Sequence, residues 1–283
     1  PQTDLQDDTS SPTHPFSVGM PSFSRDYIRE ADMWGITPFD HALCRIQYRN
    51  LRYEGPLTPP STDGSLLYPG VGGGMNWGSV AIDEVNHLMV VNVMHNPSVV
   101  RLYPQDELTG EEQFGIGGTQ SGTPYAAYSF FFLSSIFTPC WSPPYGEMAV
   151  VDLASQEVLW QRGLGTAKDQ GPLGIPSGLP LPMGMFYNAG SMVTGGGLIF
   201  NGGVVDSTMR AINVYNGEEV WSEALPGSSG ATPMSYISPI SGKQYVIVTV
   251  PGSGGGLQLE SAINSLDEAE VAGGYIIAYA LPD

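Results

Sequence analysis

One phrase occurs twice in this chain, as Ala149-Val-Val-Asp-Leu-Ala-Ser-Gln-Glu-Val-Leu-Trp160 and as Ala211-Ile-Asn-Val-Tyr-Asn-Gly-Glu-Glu-Val-Trp221. Each copy starts at Ala, has an Asp or Asn two or three residues on, passes a tight turn and ends in a Glu-led strand closed by Trp. A repeated unit of this kind cannot bury its apolar faces alone, so neighbouring units must stack. A Trp at the same place in each unit reads as a knob that docks one unit on the next. A sandwich gives no reason for such a repeat, whereas radially stacked blades do. In the second copy Asn216-Gly217 is the strongest short hairpin signal available.

Other short apolar runs bounded by Gly, Asn, Asp and Pro extend the pattern. Ser79–Asp83 with His87–Asn92, and Met148–Asp152 with Val158–Trp160, read as hairpins. Gly197–Asn201, Met209–Asn213 and Glu219–Trp221 form a further series, and Gln244–Thr249 with Tyr275–Tyr279 another. The abundance of turn formers, 37 Gly and 24 Pro beside 14 Tyr and 10 Phe, fits many short strands and speaks against disorder. The expected fold is all-β, a β-propeller. Residues 1–24 lack a hydrophobic period and read as an extended arm, and 25–283 as three to four blades with an insertion at 104–140. Arg25–Ala31 suggests a short helical turn. Cys44, Ile46 and Tyr48 alternate with Arg45, Gln47 and Arg49, which predicts a strand there.

The net charge of −18 repels phosphate backbones, so nucleic acid is excluded as a partner. No apolar run reaches the ~18–20 residues needed to cross a bilayer, and no signal peptide is visible. A chain opening at Pro1 without Met reads as a processed product. Cys44 and Cys140 lack metal-ligand spacing and leave two readings, buried free thiols or a disulfide. No metal site is expected within the chain itself.

The Trp phrase, written Ala-x-Asp-x-x-(Ser/Thr)-Gly-x-x-x-Trp, resembles the tryptophan-docking motif of eight-bladed quinoprotein dehydrogenases. Within them the chain is similar to the membrane-bound glucose and quinate/shikimate branch. The resembling passages include ADMWGITPFDHALCRIQYRNLRYEGPLTPPSTDG (31–64), MNWGSVAID (75–83), SPPYGEMAVVDL (142–153), LGTAKDQGPLGI (164–175), GGLIFNGGVVDSTMRAIN (196–213), ATPMSYISPISGKQYVIV (231–248) and GGYIIAYALPD (273–283). The resemblance implies the carboxy-terminal half of such a propeller, its ring completed by a second chain that also carries the membrane anchor. It implies pyrroloquinoline quinone (PQQ) beside a Ca²⁺ or Mg²⁺ ion, a periplasmic location at the inner membrane, and electron delivery to ubiquinone. The implied reaction removes a proton from a polyol, glucose or quinate/shikimate foremost, while hydride passes to the quinone. The family's catalytic Asp, a PQQ-contacting Lys and most of the metal shell precede the stretch matched here, so the base is expected on the partner. A periplasmic setting would also preserve a Cys44–Cys140 bridge.

By the same resemblance, Asn76 and Trp77 in the Gly-rich stretch Gly70–Gly78 lie near the cofactor plane, Asn92 hydrogen-bonds PQQ, and Asp206 supports catalysis close to the cofactor. The bland alternatives are core packing for Trp77, a turn cap for Asn92 and a β-turn for Asp206. His95 reads as a loop histidine or as part of the pocket mouth. The run Tyr125–Phe137 is either buried or an interfacial patch. The rival functions are a non-catalytic propeller scaffold and a degenerate subunit that has lost its cofactor.

Overall fold

The two copies of the Trp phrase fold the same way. In each, a strand turns back after an Asp or Asn whose side chain caps the turn. Asp152 Oδ1 accepts from the Ala154 and Ser155 amides, and Asn213 Oδ1 from the Tyr215 amide. One residue per turn takes positive φ, Gln156 (62°) in the first copy and Gly217 (72°) in the second. Each turn is closed by that residue's N–H, to Asp152 O at 2.8 Å and to Asn213 O at 2.9 Å. Both hairpins then carry a bulge, and the Trp stands opposite Val150 in one and Ala211 in the other. The structure thus aligns Asp152 with Asn213, which shifts the Ala-to-Ala register of the sequence repeat by one position.

These hairpins belong to a computed structural model that describes residues 1–5, 8–25, 27–108, 116–119, 122–187, 189–252 and 273–281. Its elements in chain order begin with helix α1 (Pro38–Arg49) and strands β1 (Ser65–Leu67), β2 (Val80–Asp83), β3 (Leu88–Met94), β4 (Ser98–Pro104), β5 (Ile116–Gly118) and β6 (Tyr125–Phe131). There follow β7 (Gly146–Asp152), β8 (Glu157–Gly163), β9 (Met192–Val193), β10 (Leu198–Asn201), β11 (Thr208–Asn213) and β12 (Glu219–Ala224). The last are β13 (Met234–Ile237), β14 (Gln244–Val250) and β15 (Tyr275–Ala280). The chain divides into two compact units, Pro1–Gly74 with His95–Ser142, and Met75–Met94 with Pro143–Asp283.

The second unit holds three antiparallel sheets, ordered β2-β3-β7-β8, β12-β11-β10-β9 and β13-β14-β15. In the first of them, β3 and β7 are buried along most of their length, which is why they read as continuous apolar runs rather than alternations. Each fully buried Val, Leu or Met there contributes roughly 1.5–3 kcal/mol. The outer strands β8 and β12 are mostly exposed. The Trp residues on them make the contacts expected of knobs. Trp160 Nε1–H donates to Val214 O at 2.7 Å in the turn of the second sheet. Its ring also lies where a Cβ on Gly217 would come within 2.9 Å. Trp221 in turn meets Tyr279 of the third sheet edge-on, centroids 5.0 Å apart. Around that contact Met209, Leu225, Val246, Val248 and Val250 form a common core between the two sheets. The expected all-β blades, each docked by a Trp on the next, are what the chain forms.

The first unit has one antiparallel sheet, β1-β4-β6-β5, and helix α1. Here one expectation fails, because Cys44–Arg49 is helical and not a strand. Thr37 caps the helix, its hydroxyl accepting from the Asp40 amide at 3.1 Å, and Pro38 opens it. The inward positions are Asp40 and Cys44, a helical spacing, while Ile46 is 53% exposed although alternation would bury it with Cys44. Cys44 is disulfide-bonded to Cys140, Cα to Cα 5.2 Å, so the bridge is the reading that holds. The run Tyr125–Phe137 supplies β6 and lies mostly inside this unit, although Phe137 is exposed.

Candidate functional site

Asn92 sits within β3, opposite Met148 of β7, and is buried. It is therefore no turn cap, since the strand continues to Met94. Its Oδ1 accepts from the Ser191 hydroxyl at 3.0 Å. Ser191 also takes an N–H from Asn201 at 3.2 Å, and Asn201, likewise fully buried, ends β10. The three side chains form one polar network that joins the β2-β3-β7-β8 sheet to the β12-β11-β10-β9 sheet. Asn92 Nδ2 finds no hydrogen-bond partner among the described residues. A buried amide donor left unmade costs about 1–3 kcal/mol, so such a group calls for a specific explanation.

The backbone beside this network is tightly built. A short 3₁₀ turn, Asn76–Gly78, packs on Ala189 and Gly190, directly before Ser191. A Cβ at Gly190 would stand 2.5 Å from Thr232 Oγ1 and 2.6 Å from Gly78 O, so only Gly fits that approach. Asn76 (φ 46°), the first residue of the turn, and Ser79 (φ 45°), just after it, take positive φ, a costly conformation for residues with a Cβ and one that concentrates at binding sites. Asn76 is exposed. The side chain of Trp77 lies outside the described residues.

Asp206 belongs to a different network. With no exposed surface, its carboxylate accepts from Arg210 through both oxygens, at 2.9 Å from Nη1 to Oδ1 and closer from Nη2 to Oδ2. The Thr166 amide donates to Oδ2 at 2.9 Å and its hydroxyl at 3.4 Å. Arg210 reaches on to Glu219 at 3.1 Å. Both oxygens of Asp206 are thereby engaged within the protein, Oδ1 by Arg210 and Oδ2 by Arg210 and Thr166. Nearby Tyr187 is a fixed neutral donor, since burial pushes its phenol well above the usual range while its hydroxyl donates to Glu147 O at 2.6 Å.

His95, in the first unit, is buried with Nδ1 at 2.8 Å from the Tyr68 hydroxyl. The same unit carries a cleft of about 390 Å³ lined by Gln47, Arg101, Tyr103 and Phe130–Leu133. Among the described residues no group of three or more His, Cys, Asp or Glu is placed to hold a metal ion, and no helix is long and apolar enough to cross a membrane.

Ser191, Asn201 and Arg210 were not singled out from the sequence. The sequence carries signals for two of them, since Arg210 stands inside the apolar run Met209–Ile212 and needs a counter-charge, and Asn201, like Asn92, comes directly after three or more apolar residues.

Successive antiparallel sheets docked by a Trp on each outer strand define a fragment of a β-propeller. The family of PQQ glucose/ethanol/alcohol dehydrogenase β-propeller domains matches residues 1–246, and the chain belongs to that family. It is 43% identical over 287 residues to a quinate/shikimate dehydrogenase (quinone) of Acinetobacter baylyi, covering 98% of this chain and 34% of that protein. A probable quinate dehydrogenase (quinone) of Xanthomonas campestris pv. juglandis is 39% identical, with 99% and 35% covered. The quinoprotein glucose dehydrogenase of Escherichia coli is 36% identical, with 100% and 35% covered. The chain thus spans about a third of the length of these relatives. A europium-containing methanol dehydrogenase shares the fold at a TM-score of 0.50 and 20% identity, over 77% of this chain and 35% of that one.

The chemistry of the Asn92 network fits PQQ, whose carbonyl and carboxylate oxygens are acceptors, because what the network leaves over is a buried donor.

Proposed function

We propose that these residues form one wall of the PQQ site in a dehydrogenase that oxidises a cyclitol or sugar and passes the electrons to ubiquinone. The unpaired, buried amide of Asn92 in a PQQ-family blade carries the reading. Asn92 would hold the cofactor by donating to one of its oxygens, and the Asn76–Gly78 turn with Trp77 would border it, in keeping with the strained backbone there. PQQ when bound supplies the two-electron acceptor. The residues of this chain orient it and keep water from the buried amide. Asp206 acts at a remove, by fixing Arg210 and the Thr166 backbone.

The catalytic base, the divalent ion's ligands and the remaining blades come from polypeptide beyond these 283 residues. The relatives' length supports this, since the chain spans about a third of it. The names of the 43% and 39% identical relatives favour quinate or shikimate over glucose. The disulfide and the quinone acceptor in those names favour a periplasmic site at the inner membrane. The assembled enzyme, reconstituted with PQQ and Ca²⁺ or Mg²⁺, should reduce a ubiquinone analogue with quinate or shikimate faster than with glucose. An enzyme that binds PQQ yet prefers glucose would overturn the substrate, and one that binds no PQQ would overturn the whole reading.

A further inference from the structure

The Asn92 network has a direction, and the direction is set by backbone. Gly203 N–H lies 3.2 Å from one end of the Asn201 amide. A backbone N–H can only donate, so that end is Oδ1. The other end of Asn201 is then the NH₂, and it meets two groups, Gly190 O at 3.4 Å and Ser191 Oγ at 3.2 Å. Gly190 O can only accept, which fixes the same assignment independently. The Ser191 hydroxyl accepts from Asn201, and the acceptor that the described contacts offer its own single hydrogen is the Asn92 side chain, 3.0 Å away. The atom of Asn92 facing Ser191 is therefore Oδ1. What turns away from the network, buried and unpaired among the described residues, is the Asn92 NH₂.

We infer that Ser191 and Asn201 are positioning residues that make Asn92 a one-way hydrogen-bond donor toward an acceptor oxygen of the bound cofactor. The relay runs Gly203 N–H to Asn201, Asn201 to Ser191, and Ser191 to Asn92. A free amide can rotate its oxygen toward a ligand as readily as its nitrogen. Here rotation would set Nδ2 against the Ser191 hydroxyl, whose hydrogen has no other acceptor among the contacts described. The site thus selects a carbonyl or carboxylate oxygen at this point and rejects a donor, with no charge placed beside the cofactor.

This inference rests on the reading that Asn92 contacts PQQ, and the experiment separates the two. PQQ is titrated into the metal-loaded apoenzyme, assembled in full, and Kd is read from quenching of Trp fluorescence. Thermal unfolding of each apoenzyme is followed in parallel. Asn92→Ala should raise Kd roughly 10–100-fold, the cost of one lost hydrogen bond in a buried site. Ser191→Ala should raise it roughly 3–10-fold through loss of orientation. Ser191→Ala should add nothing in the Asn92→Ala background, because it acts only through that amide. Asn201→Asp keeps the acceptor for Gly203 but offers no N–H to Ser191 or to Gly190 O, so it should mimic Ser191→Ala in PQQ affinity, and the unfolding of its apoenzyme shows that it has folded. If Asn92→Ala weakens PQQ while Ser191→Ala and Asn201→Asp do not, or weaken it equally in both backgrounds, the relay is overturned and the cofactor contact stands. If Asn92→Ala leaves Kd unchanged, the contact itself falls and the relay with it.

Discussion

Asp206→Asn exchanges one carboxylate oxygen for NH₂ at a residue with no exposed surface. Whichever oxygen is replaced, a donor now faces a donor. At the Oδ1 position the new NH₂ meets Arg210 Nη1, and at Oδ2 it meets Arg210 Nη2 and the Thr166 amide together. Arg210 keeps Thr208 O at 3.2 Å and Glu219 at 3.1 Å, but the side chain of Glu219 is 35% exposed and compensates poorly. Breaking one side of a buried pair costs about 3–5 kcal/mol, and the surviving Glu219 contact argues for the lower end, about 3 kcal/mol. At about 2–4 °C per kcal/mol for a folding unit of ordinary size, Tm should fall by roughly 6–12 °C. The apoenzyme is the form to measure, because bound cofactor stabilises by mass action and would mix affinity into Tm. Asp206→Asn/Arg210→Met removes both charges and should recover at least half of the loss, as replacing a whole buried pair by apolar groups is often neutral. An unchanged apoenzyme Tm with a raised PQQ Kd would refute the reasoning and return Asp206 to direct contact with the cofactor.

Gly217→Ala places a Cβ within 2.9 Å of the Trp160 ring at φ 72°. It should destabilise by about 2–4 kcal/mol, against about 1–2 kcal/mol for the backbone strain alone once Trp160→Leu has removed the ring. Equal costs in the two backgrounds, measured by thermal unfolding, would show that Trp160 does not seat on this turn. Reduction of Cys44–Cys140, across 96 residues, should lower stability by about 4–5 kcal/mol in the chain-entropy picture and open the first unit to protease. Alkylation of the denatured, unreduced protein should label no thiol of this pair, and two labelled thiols would rule the bridge out. Glu30 accepts from Arg49 and Arg45, which hold its carboxyl at about 2 against an ordinary 4.5. A lowered folded-state value means stability that is present above pH 4.5 and lost as the pH falls toward 2. Glu30→Gln should flatten the acid limb of a pH–stability curve in that window, and an unaltered limb would show the cluster to be idle.

The repeat makes the blades legible in the sequence, because a docking Trp and its turn are local and recur. Asp152, Asn213, Gln156 and Gly217 each do their work within one hairpin, so the pattern survives in the sequence. The strand expected at Cys44 failed for the complementary reason. A short alternating run such as Cys44–Arg49 fits a strand period, and the competing signal, the Thr37-Pro38 cap, lay several residues upstream.

The site divides along the same line. Asn92 stands out through a family resemblance, and the structure adds a buried donor with no partner among the described residues. Asp206 is drawn from the same resemblance, yet both its oxygens are engaged by Arg210 and Thr166, contacts that bracket it from both sides in sequence. A polar residue's type and place in a motif are the same whether its hydrogen bonds are spent internally or kept for a ligand. Only the full account of donors and acceptors separates the two cases. That account turns on Ser191, Asn201 and Gly203, about a hundred positions from Asn92 along the chain and joined to it only when one blade is laid on the next.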